Sequence, residues 1–164
     1  MNIFNPTIFP AVTALIGSLI GAGITACSGL YMERRRHRRN VEIYTAGFIA
    51  EVESLVEIIN IRGYITDLES TLQTLPKDQS ISFNILIPDN YARFYDANIA
   101  YVGLLKPTTA KNLVIFHQIL QAIVQDFKPE SFCSANGHSY DTLKELLNLA
   151  NKAIQLADEI KLNK

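Results

Sequence analysis

The longest apolar stretch of the chain lies near its N-terminus. Residues 8–32 form a run of 25 positions without a charged side chain. Because an α-helix rises 1.5 Å per residue, about 20 residues cross the roughly 30 Å hydrocarbon core of a bilayer. A core helix of a soluble protein is the alternative, but such a helix does not need this length. The pattern predicts a transmembrane helix over residues 8–32, after a short extracytoplasmic tail over residues 1–7.

The charges that flank this stretch predict its orientation. Residues 1–7 contain no basic side chain, whereas residues 33–40 form a basic collar. Arginine clusters stay on the cytoplasmic side of a span and attract anionic lipid headgroups. We therefore expect a single-pass protein of the cell inner membrane, with its N-terminus outside and residues 41–164 in the cytoplasm. The arginines expected at the headgroups are Arg34, Arg35, Arg36, Arg38 and Arg39.

Two kinds of N-terminal processing are alternatives to a stable span. A cleaved signal peptide has a basic first region and an apolar region of about 7–15 residues, and this sequence has neither. Residues 24–27 resemble the lipobox that precedes a lipidated bacterial cysteine, which would place the mature protein outside the cytoplasm. The arginine run that begins seven residues after Cys27 opposes this interpretation, because translocating it is costly.

Small side chains recur inside the predicted span. Thr13, Gly17, Gly21 and Thr25 are spaced four residues apart, and residues 17–21 match a GxxxG pattern. In lipid, helices associate through close backbone contact, which small residues permit. We interpret these four positions as a helix-association face. The alternative is that small residues are simply common in spanning helices.

Residues 41–75 continue the helical pattern beyond the collar. Apolar positions recur every three or four residues, which predicts one helix, or two helices joined near Gly63. No helix breaker separates this pattern from the span, so we expect the span to continue as a stalk. Residues 81–87 are interpreted as an extended connector rather than a strand, because no partner strand is visible.

The remaining sequence predicts three more helices. The first opens at residues 88–89 and runs to about residue 104, and the second is capped by Thr108 or Thr109 and runs to about residue 128. After a loop over residues 130–138, Ser139 or Asp141 caps the last helix. The fold class is therefore all-α: one N-terminal transmembrane helix that continues into a stalk, followed by an antiparallel helical bundle.

One segment of the bundle has a family likeness. Residues 94–105 contain an aromatic pair, Asn98 and then Gly-Leu-Leu, and an apolar helix follows at residues 113–116. This order resembles a segment in uncharacterised bacterial single-pass membrane proteins with a small cytosolic helical domain. The resemblance covers roughly residues 91–124 and implies a bacterial or phage origin and the same architecture. It implies no activity.

Few residues offer catalytic or metal chemistry. Cys133, His138 and Asp141 have the residue types of a nucleophile, a base and an orienting group, but no oxyanion element is visible near them. A metal site needs three or four suitably spaced ligands, and the sequence has too few. His117 lies in an apolar helix, where we expect a partly buried ring with one satisfied hydrogen bond. We expect no metal, no cofactor and no catalysis.

A cluster of tyrosines offers a recognition surface instead. Tyr91, Tyr95 and Tyr101, with Asn98, form a possible partner patch. The alternative is that these tyrosines belong to the core, with their hydroxyl groups at its rim.

Charge narrows the class of partner. From residue 40 onward the chain has ten Lys and Arg against fifteen Asp and Glu, a net charge of −5. Nucleic acid needs a positive footprint, so it is not the expected partner. The leading hypothesis is a membrane-anchored interaction or scaffold module that binds a protein partner, or itself, at the cytoplasmic face. The alternatives are an oligomerising pore-forming or lysis effector, and a hydrolase-like enzyme that uses Cys133 and His138.

Overall fold

The computed structural model describes residues 9–82, 87–88, 90–128 and 130–162. The predicted tail over residues 1–7 lies outside the described residues. The fold is all-α, as the periodicity predicts, with one two-stranded sheet in the described part of the chain. In chain order the elements are α1 Phe9–Ile61, α2 Tyr64–Thr74, β1 Ser80–Ile81, α3 Arg93–Asn98, a 3-10 helix Ile99–Leu104, α4 Pro107–Asp126, α5 Phe132–Asn136, β2 His138–Ser139 and α6 Tyr140–Leu162.

The first helix contains residues 9–32 of the predicted span, the collar and the following residues up to Ile61 without a break, and residue 8 lies outside the described residues. Pro10 lies in its first turn, where the missing N–H group removes no helical hydrogen bond. The chain divides into two compact units, Met1–Glu42 and Ile43–Lys164. In the first unit every side chain over residues 12–39 is exposed. By length and composition, α1 is able to cross a membrane.

The second unit has an apolar core of its own. Phe48 of α1, together with Leu113 and Phe116 of α4, is fully buried in the larger of two clusters. Ala153 and Ile160 supply the facing side of α6. The smaller cluster joins α2 to α6 through Leu68, Leu143 and Leu146. These positions repeat every three or four residues in each helix, so the apolar rows of the sequence form the core.

Gly63 separates α1 from α2. Its φ of 67° and ψ of 20° lie in the left-handed region, which glycine adopts without steric cost. The Gly63 N–H group donates to the Asn60 carbonyl oxygen at 3.1 Å, and this bond closes the last turn of α1. Of the two expectations for residues 41–75, the pair of helices joined near Gly63 is confirmed.

Replacing Gly63 with alanine is expected to lower the free energy of unfolding of the second unit by about 1 kcal/mol, because a Cβ atom disfavours this backbone conformation. Among the described residues no atom lies within 4 Å of the added Cβ, so the cost arises from the backbone alone. Gly63→Asn should cost less, since asparagine tolerates the left-handed region. Urea titrations of the full-length protein in detergent measure both, and equal stability of all three proteins would contradict the expectation.

Several predicted helix boundaries are wrong. α3 begins at Arg93 instead of residues 88–89, and the last six residues of the predicted helix, Ile99–Leu104, form a 3-10 helix. α4 begins at Pro107, whose fixed φ suits the first helical position. Lys106 is the N-cap residue, without a side-chain cap bond, so neither Thr108 nor Thr109 caps the helix. The predicted cap of α6 is confirmed for Ser139, whose hydroxyl accepts from the Thr142 N–H group at 3.3 Å.

The segment after α2 also differs from the expectation of a connector. Ser80 pairs with Ser139 and Ile81 pairs with His138 in an antiparallel arrangement. The partner strand has only two residues and lies directly before α6, so no strand pattern marks it in the sequence. Residues 83–86 of the predicted connector lie outside the described residues. The predicted loop over residues 130–138 contains α5 and the first residue of β2.

Candidate binding site around Glu51 and His117

A carboxylate of α1 binds the start of α3. Glu51 accepts hydrogen bonds from the backbone N–H groups of Phe94 and Tyr95, at 2.6 and 2.8 Å. The first N–H groups of a helix have no partner within the helix, and a negative charge at this end is favourable. The Glu51 side chain is only 11% exposed, so water competes weakly for these bonds. Glu51 therefore fixes the short helix α3 against α1.

Phe94 packs against the same helix one turn earlier. Its ring lies over Gly47, where an added Cβ atom would overlap the ring. The ring also makes an edge contact with Phe48, with centroids 5.2 Å apart. α3 is thus held at two points, by the Glu51 carboxylate and by an aromatic ring that needs a glycine beneath it.

His117 of α4 lies beside the Glu51 carboxylate and is buried. Its ring is 3% exposed and stacks on Tyr95, with centroids 3.9 Å apart. Nε2 is 3.8 Å from Glu51 Oε2, which is too long for a hydrogen bond. Neither ring nitrogen has a hydrogen-bond partner in the described part of the protein. The expectation of a partly buried ring with one satisfied hydrogen bond is therefore wrong.

Burial lowers the pKa of His117 to about 4, so the ring is neutral at pH 7. The unfolded chain, with a histidine pKa near 6.5, binds more protons than the folded protein between these two values. We expect the contribution of His117 to stability to be complete above pH 6.5 and to be lost as the pH falls. Between pH 8 and pH 5 the free energy of unfolding should drop by about 2 kcal/mol through this group.

The measurement is a set of urea titrations of the full-length protein and of His117→Phe across this pH range. Phenylalanine keeps an aromatic ring against Tyr95 but does not titrate. His138 is buried and its pKa is also lowered, mainly by burial, so a smaller slope of the same sign should remain in the variant. An unchanged slope in His117→Phe would contradict the assignment.

A cavity of about 260 Å³ opens between residues 91–96 and α4. Tyr91, Tyr95, Asp96 and His117 line one part of it. Along α4 the lining continues with Gln118, Gln121, Val124, Gln125 and Lys128.

The Tyr91 hydroxyl donates to the His117 carbonyl oxygen at 3.4 Å. Burial and the nearby Asp96 and Glu51 carboxylates raise the pKa of Tyr91 to about 12. The cavity is therefore a polar recess with a neutral histidine on its wall.

The four residues of the predicted partner patch occupy different surroundings. Tyr91 and Tyr95 line the cavity, and Tyr95 is otherwise buried. The Asn98 side-chain amide donates to the Phe94 carbonyl oxygen at 2.9 Å, within α3. Tyr101 is 40% exposed and stacks on Tyr44, with centroids 3.9 Å apart. Only the first two residues belong to the cavity.

The predicted helix-association face lies on the exposed first part of α1. Among the described residues, no atom apart from the adjoining backbone of α1 and the chain neighbours approaches within 4 Å of a Cβ built at Gly17 or Gly21. The Thr25 hydroxyl donates to the Gly21 carbonyl oxygen at 2.9 Å, and Thr13 is exposed. The collar arginines Arg34, Arg35, Arg36, Arg38 and Arg39 are exposed as well.

The region of the predicted catalytic loop does not show an activated thiol. Burial, assisted by the Asp126 and Glu145 carboxylates, raises the pKa of Cys133, whereas reactive cysteines have a lowered pKa. His138 is fully buried next to Phe127, and Asp141 is exposed in the first turn of α6. Within residues 9–82, 87–88, 90–128 and 130–162, no group of three His, Cys, Asp or Glu side chains is placed to hold a metal ion.

Sequence reasoning missed the contacts that build the site. Glu51 was indistinguishable from the other acidic residues of its helix, because its two partners lie more than 40 positions away. The glutamines of α4 carried a weak signal, since a polar row on an otherwise apolar helix marks the face that leaves the core. In comparisons with protein-family models, curated proteins and solved structures, nothing matched this chain.

Proposed function

We propose that this protein is a single-pass membrane protein whose second unit acts as a cytoplasmic interaction module without catalysis. The observation that carries the proposal is the apolar surface of α1. Residues 12–32 bear many large apolar side chains, and all of the side chains over this range are exposed. Soluble proteins rarely leave such a surface in water. A bilayer would cover it, and the five collar arginines would then lie at the cytoplasmic headgroups.

Self-association through the span is part of the proposal. The open surface at Gly17 and Gly21 permits a second helix to approach closely in lipid. In this scheme the helices of the second unit are brought together at the membrane, and a protein partner binds there. Bacterial origin is likewise a proposal, supported by the resemblance of residues 91–124.

Membrane insertion and orientation are tested together in a bacterial host. The protein should remain in the membrane fraction after alkaline carbonate extraction, and deletion of residues 8–32 should release it. In a Cys27→Ser background, Cys133 is the only remaining cysteine. A membrane-impermeant thiol reagent should label it in lysed cells and not in intact cells. Labelling in intact cells would overturn the proposed orientation, and extraction by carbonate would overturn the span.

The oligomeric state tests self-association. Light scattering coupled to chromatography should give a defined oligomer for the full-length protein in mild detergent. The Gly17→Leu/Gly21→Leu variant should dissociate, whereas Gly23→Leu should not, because that glycine is equally open but lies off the row of positions spaced four residues apart. If all three proteins were monomers, the span would serve only as a membrane anchor and not as a site of self-association.

A further inference from the structure

We propose that the cavity beside His117 binds a small uncharged molecule that carries an amide or a similar paired donor and acceptor group. The site lies within residues 91–128 and does not depend on membrane insertion or on self-association. If the cavity binds no such molecule, the proposed function still stands. If the proposed function is wrong, the cavity can still bind the molecule.

The first support is the buried histidine. A polar group that loses water without gaining a hydrogen bond destabilises the folded state, and native proteins satisfy most such groups. Both ring nitrogens of His117 are buried without a partner in the described residues. A neutral imidazole carries one donor and one acceptor. The two nitrogens point in different directions, and Nε2 lies 3.8 Å from Glu51 Oε2, so a bound amide would supply the missing partner of one nitrogen.

The second support is the charge and chemistry of the wall. Asp96 and Lys128 carry opposite formal charges, and the neutral His117 adds none, so the lining has no net charge. Phosphate and other anions need an excess of positive charge, which is absent from this lining. Gln118, Gln121 and Gln125 each offer a donor and an acceptor. Each of these side chains can exchange a donor and an acceptor bond with an amide group.

The third support is the loose attachment of Tyr91. Its hydroxyl lies 3.4 Å from the His117 carbonyl oxygen, beyond the usual 2.5–3.0 Å or so for a bond between two oxygens. A bond of this length contributes little, so the Tyr91 hydroxyl can exchange it for a hydrogen bond to a bound molecule.

The cavity size sets the scale of the ligand. Its volume of about 260 Å³ lies just below the roughly 300–1,000 Å³ of sites for drug-sized molecules. N-methylacetamide, the smallest mimic of a peptide group, is the probe. With its few heavy atoms, we expect a dissociation constant on the order of 1–10 mM, which corresponds to about −3 to −4 kcal/mol.

The experiment follows the ring ¹⁵N shifts of the three histidines in the full-length protein in detergent micelles. N-methylacetamide should shift the His117 signal, assigned with His117→Phe, along a saturable curve, and leave the His37 signal in place. Acetate and methylammonium at equal ionic strength should give no saturable shift. Gln121→Leu should weaken binding at least several-fold, whereas Gln73→Leu, an exposed glutamine of α2, should not.

Three results would overturn the proposal. The first is the absence of a saturable His117 shift at about ten times the expected dissociation constant. The second is an equal response in Gln121→Leu and the unchanged protein, which would place the effect elsewhere. The third is a larger response to acetate or methylammonium than to the amide, which would assign the cavity to a charged ligand.

Discussion

Replacing Glu51 with alanine is expected to lower the free energy of unfolding of the second unit by about 3 kcal/mol. The change removes a carboxylate that accepts two backbone N–H bonds at the start of α3. Bonds to a charged acceptor contribute roughly 1.5–3 kcal/mol each, and a buried donor left unpaired adds its own desolvation cost. The expected loss is less than the full sum, because part of α3 would move and become hydrated. Urea titrations of the full-length protein in detergent provide the measurement.

Two variants make the Glu51 experiment specific. Glu51→Gln keeps one carbonyl oxygen as an acceptor and should lose about half as much stability as Glu51→Ala. Glu53→Ala, on an exposed position of the same helix, removes the same charge without these bonds and should change stability by less than about 0.5 kcal/mol. If Glu51→Ala and Glu53→Ala were equally stable, the hydrogen bonds of Glu51 would make no net contribution to the free energy of unfolding.

The helices were predictable because their signal is local. Apolar positions every three or four residues in α1, α4 and α6 require only neighbours in sequence, and these rows form the core of the second unit. The hinge at Gly63 was predictable for the same reason, since glycine is costly inside a helix. The 3-10 helix Ile99–Leu104 was not, because its apolar spacing of three and four also fits an α-helix.

Contacts between residues that are distant in the sequence could not be predicted from the local pattern of apolar and polar positions. Ser80 and Ser139 are almost 60 positions apart, and strands of two residues carry no alternation to detect. The same limit applies to Glu51, which is one of fifteen acidic residues after the collar and is distinguished only by its partners in α3. The sequence singled out Tyr91 and Tyr95 as members of a partner patch, but it indicated neither His117 as a site residue nor the cavity that the three residues share.

Gly47 illustrates a contact that sequence reasoning could not find. Inside a helix, glycine costs about 1 kcal/mol relative to alanine, so Gly47 is an unfavourable residue for helix stability. The structure supplies the reason: the Phe94 ring occupies the space that a Cβ atom would need. A close approach between a backbone and a ring is a property of two distant positions, and neither position reveals it alone.

Replacing Gly47 with leucine is therefore expected to cost about 3 kcal/mol of unfolding free energy. Extra atoms in a packed region typically cost about 1–3 kcal/mol, and here even the first added carbon overlaps the Phe94 ring. The ring cannot move without losing its edge contact with Phe48 and disturbing the backbone that Glu51 binds. Gly103→Leu is the matched control, since no described atom beyond its chain neighbours and the local helix backbone lies within 4 Å of a Cβ there.

The partner variant Phe94→Ala decides whether this overlap is the cause. Alone it should destabilise the protein by about 2 kcal/mol, because a half-buried ring is lost. Combined with Gly47→Leu it should recover stability, because the leucine side chain then fills the space that the ring has left. The double variant should lose about 2 kcal/mol, less than Gly47→Leu alone, which corresponds to a coupling energy of about 3 kcal/mol. If the two changes were simply additive, the damage at Gly47 would arise from the helix itself and the Phe94 contact would not explain the glycine.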